Sequence, residues 1–238
     1  SNPLSQEWVY MRPHLTPSVL LALKQNLNIR NDLKLFELSM RYEFRSSDLP
    51  LEKSTLIVVW VGSKFYEAKG LAEALFRLMG TSMPQEDGNK SDPSLVLYNE
   101  KRLSLGTFGS IGELNVAVLG TLGIDVPVTR LHLDLDALVS HAQPTKKYSP
   151  IPKYPPSFED LAFIVPDKTL VGPMVDAMKK VDPLISDVTL LDTFENTRTF
   201  HVTYLSKNNS LTTEDIRPIR EKLIKMVESS FSAKLKEI

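Results

Sequence analysis

The chain has 238 residues, 42% of them hydrophobic and 24% charged, with 16 prolines, 10 glycines and no cysteine. That balance sets aside disordered and fibrous classes and allows one large domain or two smaller ones, while the missing cysteine excludes a disulfide framework, a thiolate nucleophile and cysteine-bound zinc. The net charge is −1, and residues 151–238 carry 12 basic against 13 acidic side chains, so neither half is a basic module and any RNA contact must be local.

The longest apolar run, residues 56–61 around Trp60, is too short to cross a bilayer and too β-branched for a signal-peptide core. No membrane segment is expected, and the cysteine count is compatible with a reducing cytosol. The chain opens on Ser1-Asn2-Pro3 without methionine, in text that reads like the interior of a domain, so a fragment of a longer protein is expected.

In chain order, Thr16-Pro17 predicts an N-cap with proline at the first helical position, and Leu20, Leu21, Leu23 and Leu27 supply that helix's apolar stripe. A strand opens at Leu33, Leu35 and Phe36 and runs toward Phe44. Residues 55–62 read as a second strand, apolar enough to lie centrally in a sheet. A helix follows over 66–79, ended by Gly80, and then a polar surface loop over 81–93. Short strands are expected at 95–98, 103–106 and 129–135, with a helix near 114–122.

Five prolines between 143 and 157 (Pro144, Pro150, Pro152, Pro155, Pro156) favour an extended connection and mark a domain boundary. Beyond it the pattern reads strand 161–165, helix 171–181, strands 187–194 and 199–206, helix 213–228 and a short strand near Ala233. This is the β-α-β-β-α-β order of a ferredoxin-like split unit. Thr212 or Thr213, with Glu214, Asp215 and Glu221, starts the last helix well, and Pro218 sits early enough to be tolerated. The fold class predicted is α+β.

The search for chemistry is negative. His14, His132, His141 and His201 lack metal-ligand spacing. Gly106, Gly109 and Gly112 match neither the dinucleotide nor the Walker pattern and read as turn glycines between strands. Asp134 and Asp136 would share a strand face, but Asp136 reads better as the cap of a short helix. No nucleophile elbow is present, so no catalytic residue and no metal site is expected.

Several fragments in register resemble one family. Asn2-Pro3-Leu4-Ser5, Met11-Arg12, Leu20-Leu21, Asn26 and Leu35-Phe36-Glu37-Leu38 are similar to the N-P-L-S, M-R, L-L, N and L-F-E-I of the bacterial phenylalanine–tRNA ligase β subunit. Phe65-Tyr66-Glu67-Ala68-Lys69-Gly70 with Glu73-Ala74-Leu75, then Ile111-Gly112-Glu113-Leu114, then Leu133-Asp134-Leu135-Asp136-Ala137-Leu138 continue the match. The stretch from Tyr154-Pro155-Pro156 through Asp160-Leu161-Ala162-Phe163-Ile164-Val165, and Ser206-Lys207-Asn208-Asn209-Ser210-Leu211-Thr212 with Glu214, resemble its terminal anticodon-binding domain.

The resemblance implies a non-catalytic, class II synthetase-like antiparallel-sheet module over 1–142, a proline-rich linker over 143–152 and a ferredoxin-fold anticodon-binding domain over 153–238. It implies a cytoplasmic α2β2 ligase in which this chain supports the catalytic α subunit and binds the anticodon region of tRNA(Phe). ATP and Mg²⁺ would serve the holoenzyme, with no cofactor in this portion. Arg41-Tyr42-Glu43 imitates a class II R-x-E, but no later glycine-rich strand carries the arginine that would hold ATP. The family's arginine before the strand aspartate is Glu159 here, and its D-R-T is Asn208-Asn209-Ser210, so less positive charge is expected toward RNA. Its F-H-P-G-R-S-A stretch is not visible around 84–103.

On the third strand of the last module, Phe200, Val202 and Tyr204 are expected to face the helices, leaving a polar open face of Thr199, His201 and Thr203 without an aromatic platform. Backbone or base-edge contacts are then expected, from Arg198, His201, Lys207, Asn208 and Lys168. The alternative functions are a ferredoxin-like amino-acid sensor and a bare protein-interaction scaffold.

Overall fold

The computed structural model describes residues 9–30, 32–84, 96–143, 148, 150–167 and 169–236. The chain divides into two compact units, Ser1–Lys147 and Tyr148–Ile238.

The first unit runs α1 (Thr16–Leu27), β1 (Lys34–Glu43), β2 (Leu51–Val61), α2 (Phe65–Leu78), β3 (Tyr98–Ser104), a 3-10 turn (Gly106–Phe108), β4 (Gly109–Leu114), α3 (Val116–Thr121), β5 (Val128–Asp134) and α4 (Leu135–Ser140). Its five strands form one antiparallel sheet in the order β1-β2-β5-β4-β3. Strand residues point alternately to opposite faces, and β2 serves two cores. Ile57 and Val59 pack with Leu20 and Leu23 of α1, while Val58 and Trp60 pack with Ala68, Ala72 and Phe76 of α2. The apolar run predicted to be central in a sheet is central.

Four local readings are corrected. Thr16 is the first residue of α1 rather than its cap; apolar Leu15 holds the N-cap position with no side-chain hydrogen bond, and the Thr16 hydroxyl accepts from Arg130 Nη1 at 2.9 Å. One strand, β3, replaces the two short strands expected at 95–98 and 103–106, of which residue 95 lies outside the described residues. Its charged middle, Asn99-Glu100-Lys101-Arg102, looks like a loop in sequence but sits on a sheet edge, where such residues are solvated. Asp134, not Asp136, caps α4 by accepting from Ala137 N at 2.9 Å, whereas Asp136 accepts from Ser54 N at 3.0 Å. The two aspartates therefore share no strand face.

Two of the three glycines are the fourth correction, whereas Gly106, at φ +59° in the 3-10 turn between β3 and β4, is a turn glycine as the sequence predicts. Gly112 lies within β4, where a Cβ would come within 2.7 Å of the Tyr98 ring, and Gly109 opens β4 at φ +137°, with a Cβ overlapping the carbonyl of His132. Both allow close approach inside the sheet rather than turns between strands.

The second unit runs β6 (Ser157–Ile164), α5 (Val171–Lys179), β7 (Ile185–Phe194), β8 (Thr197–Tyr204), α6 (Thr213–Phe231) and β9 (Lys234–Leu235), the split β-α-β-β-α-β order that the sequence predicts. The strands lie antiparallel as β7-β8-β6-β9. Thr212 and Asp215 form a reciprocal capping box at the start of α6, and this pairing holds the Asp215 carboxyl below its usual range. One sheet face packs Leu161, Phe163, Phe200, Val202 and Tyr204 against Met174 and Met178 of α5 and Ile219, Leu223 and Val227 of α6. Among the described residues the other face carries no helix of this unit.

Candidate nucleic-acid and subunit interfaces

Two surfaces stand apart, one in each unit. In the second, ladder register identifies which side chains share the open face, because paired residues point to the same side. One row is Phe158, Thr203 and Asp187; the next is Asp160, His201 and Thr189; then come Ala162, Thr199 and Asp192. A fourth row is Ile164, Thr197 and Phe194, with Phe194 65% exposed, so the open face carries three carboxylates in its first three rows and an aromatic side chain at each end. Phe158 is 60% exposed, with its ring centroid 5.2 Å from that of His201 at an interplanar angle of 24°. His201 Nδ1 lies 2.6 Å from Asp160 Oδ1. An ionised carboxylate only accepts, so Nδ1 carries the proton and donates. The expectation of a face without an aromatic platform is corrected, because the aromatics come from the strands beside β8: Phe158 from β6 and Phe194 from β7.

The other residues expected at an RNA site are spread out. Arg198 alternates with His201 and lies on the helix-side parity, where Nη1 donates to the carbonyls of Glu195 and Thr197 at 2.7 and 2.9 Å and closes the β7–β8 hairpin. Lys207 and Asn208 are neighbours in the exposed loop after β8, with Asn208 N donating to Ser206 Oγ at 3.2 Å. Arg198 and that loop sit at opposite ends of β8, roughly 20 Å apart at the rise of an extended strand. Lys168 lies outside the described residues. Glu159 faces the helices: it accepts from Tyr204 Oη at 3.2 Å and pairs with Arg220 Nε at 2.6 Å, while burial, and then Glu159, push the Tyr204 phenol up. Its acidic sign thus acts on the anchoring of α6 and not on the open face.

The surface in the first unit gave no signal to sequence reading. β1 is an edge strand, and Phe36, Leu38 and Met40 on one of its faces are 74%, 61% and 43% exposed. They share the face of Leu56 and Val58, where α2 packs on Val58 and Trp60 and meets β1 through the Lys34–Glu67 ion pair, leaving the three side chains exposed. Their backbones are also open. Tyr42 N donates away from β2 to Arg12 O at 2.9 Å, and Val61 N donates to Leu33 O. In an antiparallel ladder these two bonds set the alternation, so the N–H and C=O groups of residues 36, 38 and 40 point to the free edge. Natural edges are usually blunted by charge, proline or a bulge; this stretch offers apolar side chains together with amides that have no backbone partner among the described residues.

No catalytic arrangement stands out among the described residues, and no group of three or more metal-ligating side chains occurs among them. Arg41, of the R-x-E imitation, is held by Glu43 and by Asp134, the latter at 3.4 Å. Arg130 is buried on Tyr98, 4.9 Å from the ring centroid, with Nε on the Tyr98 hydroxyl at 2.9 Å. Beside them, burial and then the charges of Arg130 and Arg41 lower the His132 pKa to about 4. The polar groups of this sheet face are occupied in holding α1 and β5 together. No helix is long and apolar enough to cross a membrane among the described residues.

Comparison with known proteins gives two adjoining family matches. A family model described as the phenylalanyl-tRNA synthetase beta chain CLM domain matches residues 1–135, and one described as the ferredoxin-fold anticodon binding domain matches residues 152–236. The phenylalanine–tRNA ligase beta subunit of Geobacter sulfurreducens is 28% identical over 99% of this chain and 33% of its own length; that of Clostridium tetani is 27% identical over 99% and 32%. The chain thus spans about a third of the length of these relatives. Among solved structures, a pyrrolysyl-tRNA synthetase from Desulfitobacterium hafniense aligns over 54% of this chain and 48% of that one, with 17% identity and a TM-score of 0.41.

Proposed function

The chain belongs to the phenylalanyl-tRNA synthetase beta-chain family, and from that premise we propose that it acts as a portion of the ligase β subunit that supports the catalytic α subunit and binds the anticodon region of tRNA(Phe). The observation that carries this reading is the succession of the two family matches, 1–135 then 152–236, in one chain. The assembly would be a cytoplasmic α2β2 ligase, with ATP and Mg²⁺ used by the holoenzyme and its chemistry held by α.

The physical contribution of this portion is orientation: fixing the tRNA relative to a distant reacting centre lowers the entropy lost at the chemical step. The open β1 edge fits the subunit role, since an exposed apolar strand with outward amides gains from pairing with another chain. The second unit fits the RNA role through Lys207, Asn208 and His201, with Arg198 and Lys168 retained as candidates.

Light scattering of this chain with the α subunit of the same organism, followed by a tRNA mobility shift, tests the reading. The expected result is a stable complex that binds tRNA more tightly than α alone. A chain that stays monodisperse and ignores both partners at low salt overturns it.

A further inference from the structure

We propose that Phe158 and His201 form a stacking platform for one unpaired base of an RNA loop on the open face of the second unit, with Asp160 as the positioning residue that fixes the imidazole. This rests on the reading of that unit as RNA-binding and adds to it the chemical group that is recognised.

The choice of a base over a phosphate follows from charge. The rows that surround the pair carry Asp160, Asp187 and Asp192. Lys179 reaches Asp187 at 2.7 Å, and its ion pair holds that carboxyl below the usual range, so this cation is already engaged. A strand of phosphates laid across three carboxylates would be repelled. A nucleobase is uncharged, presents a π-face to an aromatic ring, and offers amino or imino N–H donors that carboxylates accept.

Geometry supplies the rest. Phe158 meets His201 on one side of its ring and remains 60% exposed, although an aromatic ring gains by being covered. Its position on the strand is fixed by pairing with Thr203, and His201 is fixed by pairing with Asp160. The hydrogen bond from His201 Nδ1 to Asp160 sets the ring plane nearly parallel to that of Phe158 and leaves Nε2 to meet a base edge. Both rings are thus held in place before any ligand arrives, which lowers the ordering cost of binding. The sequence conceals the pair, because its members lie on different strands and 43 positions separate them.

The test uses the assembled ligase with variants in this chain, and tRNA carrying 2-aminopurine in the anticodon loop. Phe158→Ala is expected to weaken tRNA binding by about tenfold or more, the usual effect of removing one stacked base, and to abolish the quenching of 2-aminopurine. Phe158→Trp is expected to restore both. The slope of log affinity against log salt should stay unchanged in both variants, because no phosphate contact is lost; a platform that only supports the fold would not give rescue by Trp with a constant slope. Asp160→Asn should give an intermediate loss. Unchanged affinity and quenching in a folded Phe158→Ala enzyme, while Lys207→Glu still weakens binding, would overturn the platform and leave the RNA reading standing. If deleting the whole second unit leaves tRNA affinity unchanged, the RNA reading itself falls. Capture of a protein rather than RNA by the Phe158 face would also overturn the platform.

Discussion

The exposed face of β1 and the open face of the second unit are both sheet surfaces that no helix covers among the described residues, but they offer different chemistry. On β1, Phe36, Leu38 and Met40 lie in a row beside outward backbone amides; nothing in that row is charged, and association would be driven by removing apolar area from water and by completing the ladder. On the second unit the same strand geometry carries Thr199, Thr203, Asp160, Asp187 and Asp192 between the Phe158–His201 pair and Phe194, so that surface offers stacking and hydrogen bonds. Side-chain chemistry, and not strand geometry, separates the two surfaces.

The sharpest way to break this contrast is to put charge into the apolar row. Leu38→Glu with Met40→Lys is expected to weaken α-subunit association by about a hundredfold or more, since an unpaired charge would be buried at the interface. The thermal midpoint of the first unit should move little, because both side chains are already exposed. A loss of the folded state in calorimetry would mean that the row is core rather than interface.

A second prediction concerns pH and the first unit alone. His132 has a pKa of about 4 against 6.5 for the unperturbed group. The unfolded state therefore binds the proton first, and stability contributed by the neutral imidazole is present above about 6.5 and is lost as pH falls toward 4. The loss should amount to roughly 3 kcal/mol at most by the linkage relation, and His132→Gln should flatten it. Urea titrations at pH 7 and pH 4.5 measure both; the same pH step should leave the second unit's midpoint unaffected by this substitution.

The smallest effect sharpens the comparison from the other side. Thr212→Ala removes one arm of the capping box and is expected to cost about 1 kcal/mol of the second unit's stability, read as a lower thermal midpoint, with α-subunit association unchanged.

Much of the fold was legible in the sequence, and the reasons differ by region. In the second unit, regular alternation on β6 and β8 and a capped α6 agree with one another, so the order of elements follows directly. In the first, β3 was hidden by its charged middle and β4 by two glycines, whose role is the close approach of the Tyr98 ring and the His132 carbonyl. The surfaces were less legible than the elements. Phe36 and Leu38 alternate as core residues do, and only the packing of the assembled sheet leaves them open. Phe158 was missed because a face is a property of neighbouring strands, and the register that places it beside His201 appears only when the sheet is assembled. Arg198 was readable as a cation but not as the residue that holds its own hairpin.

The most direct measurement is a paired one on the full chain assembled with the α subunit: complex formation by light scattering and tRNA affinity by mobility shift, for Leu38→Glu and for Phe158→Ala. The account predicts that Leu38→Glu loses the α subunit while Phe158→Ala keeps it and loses tRNA affinity. If Leu38→Glu leaves the complex intact, or if both substitutions impair both partners equally, the assignment of one surface to each partner is contradicted.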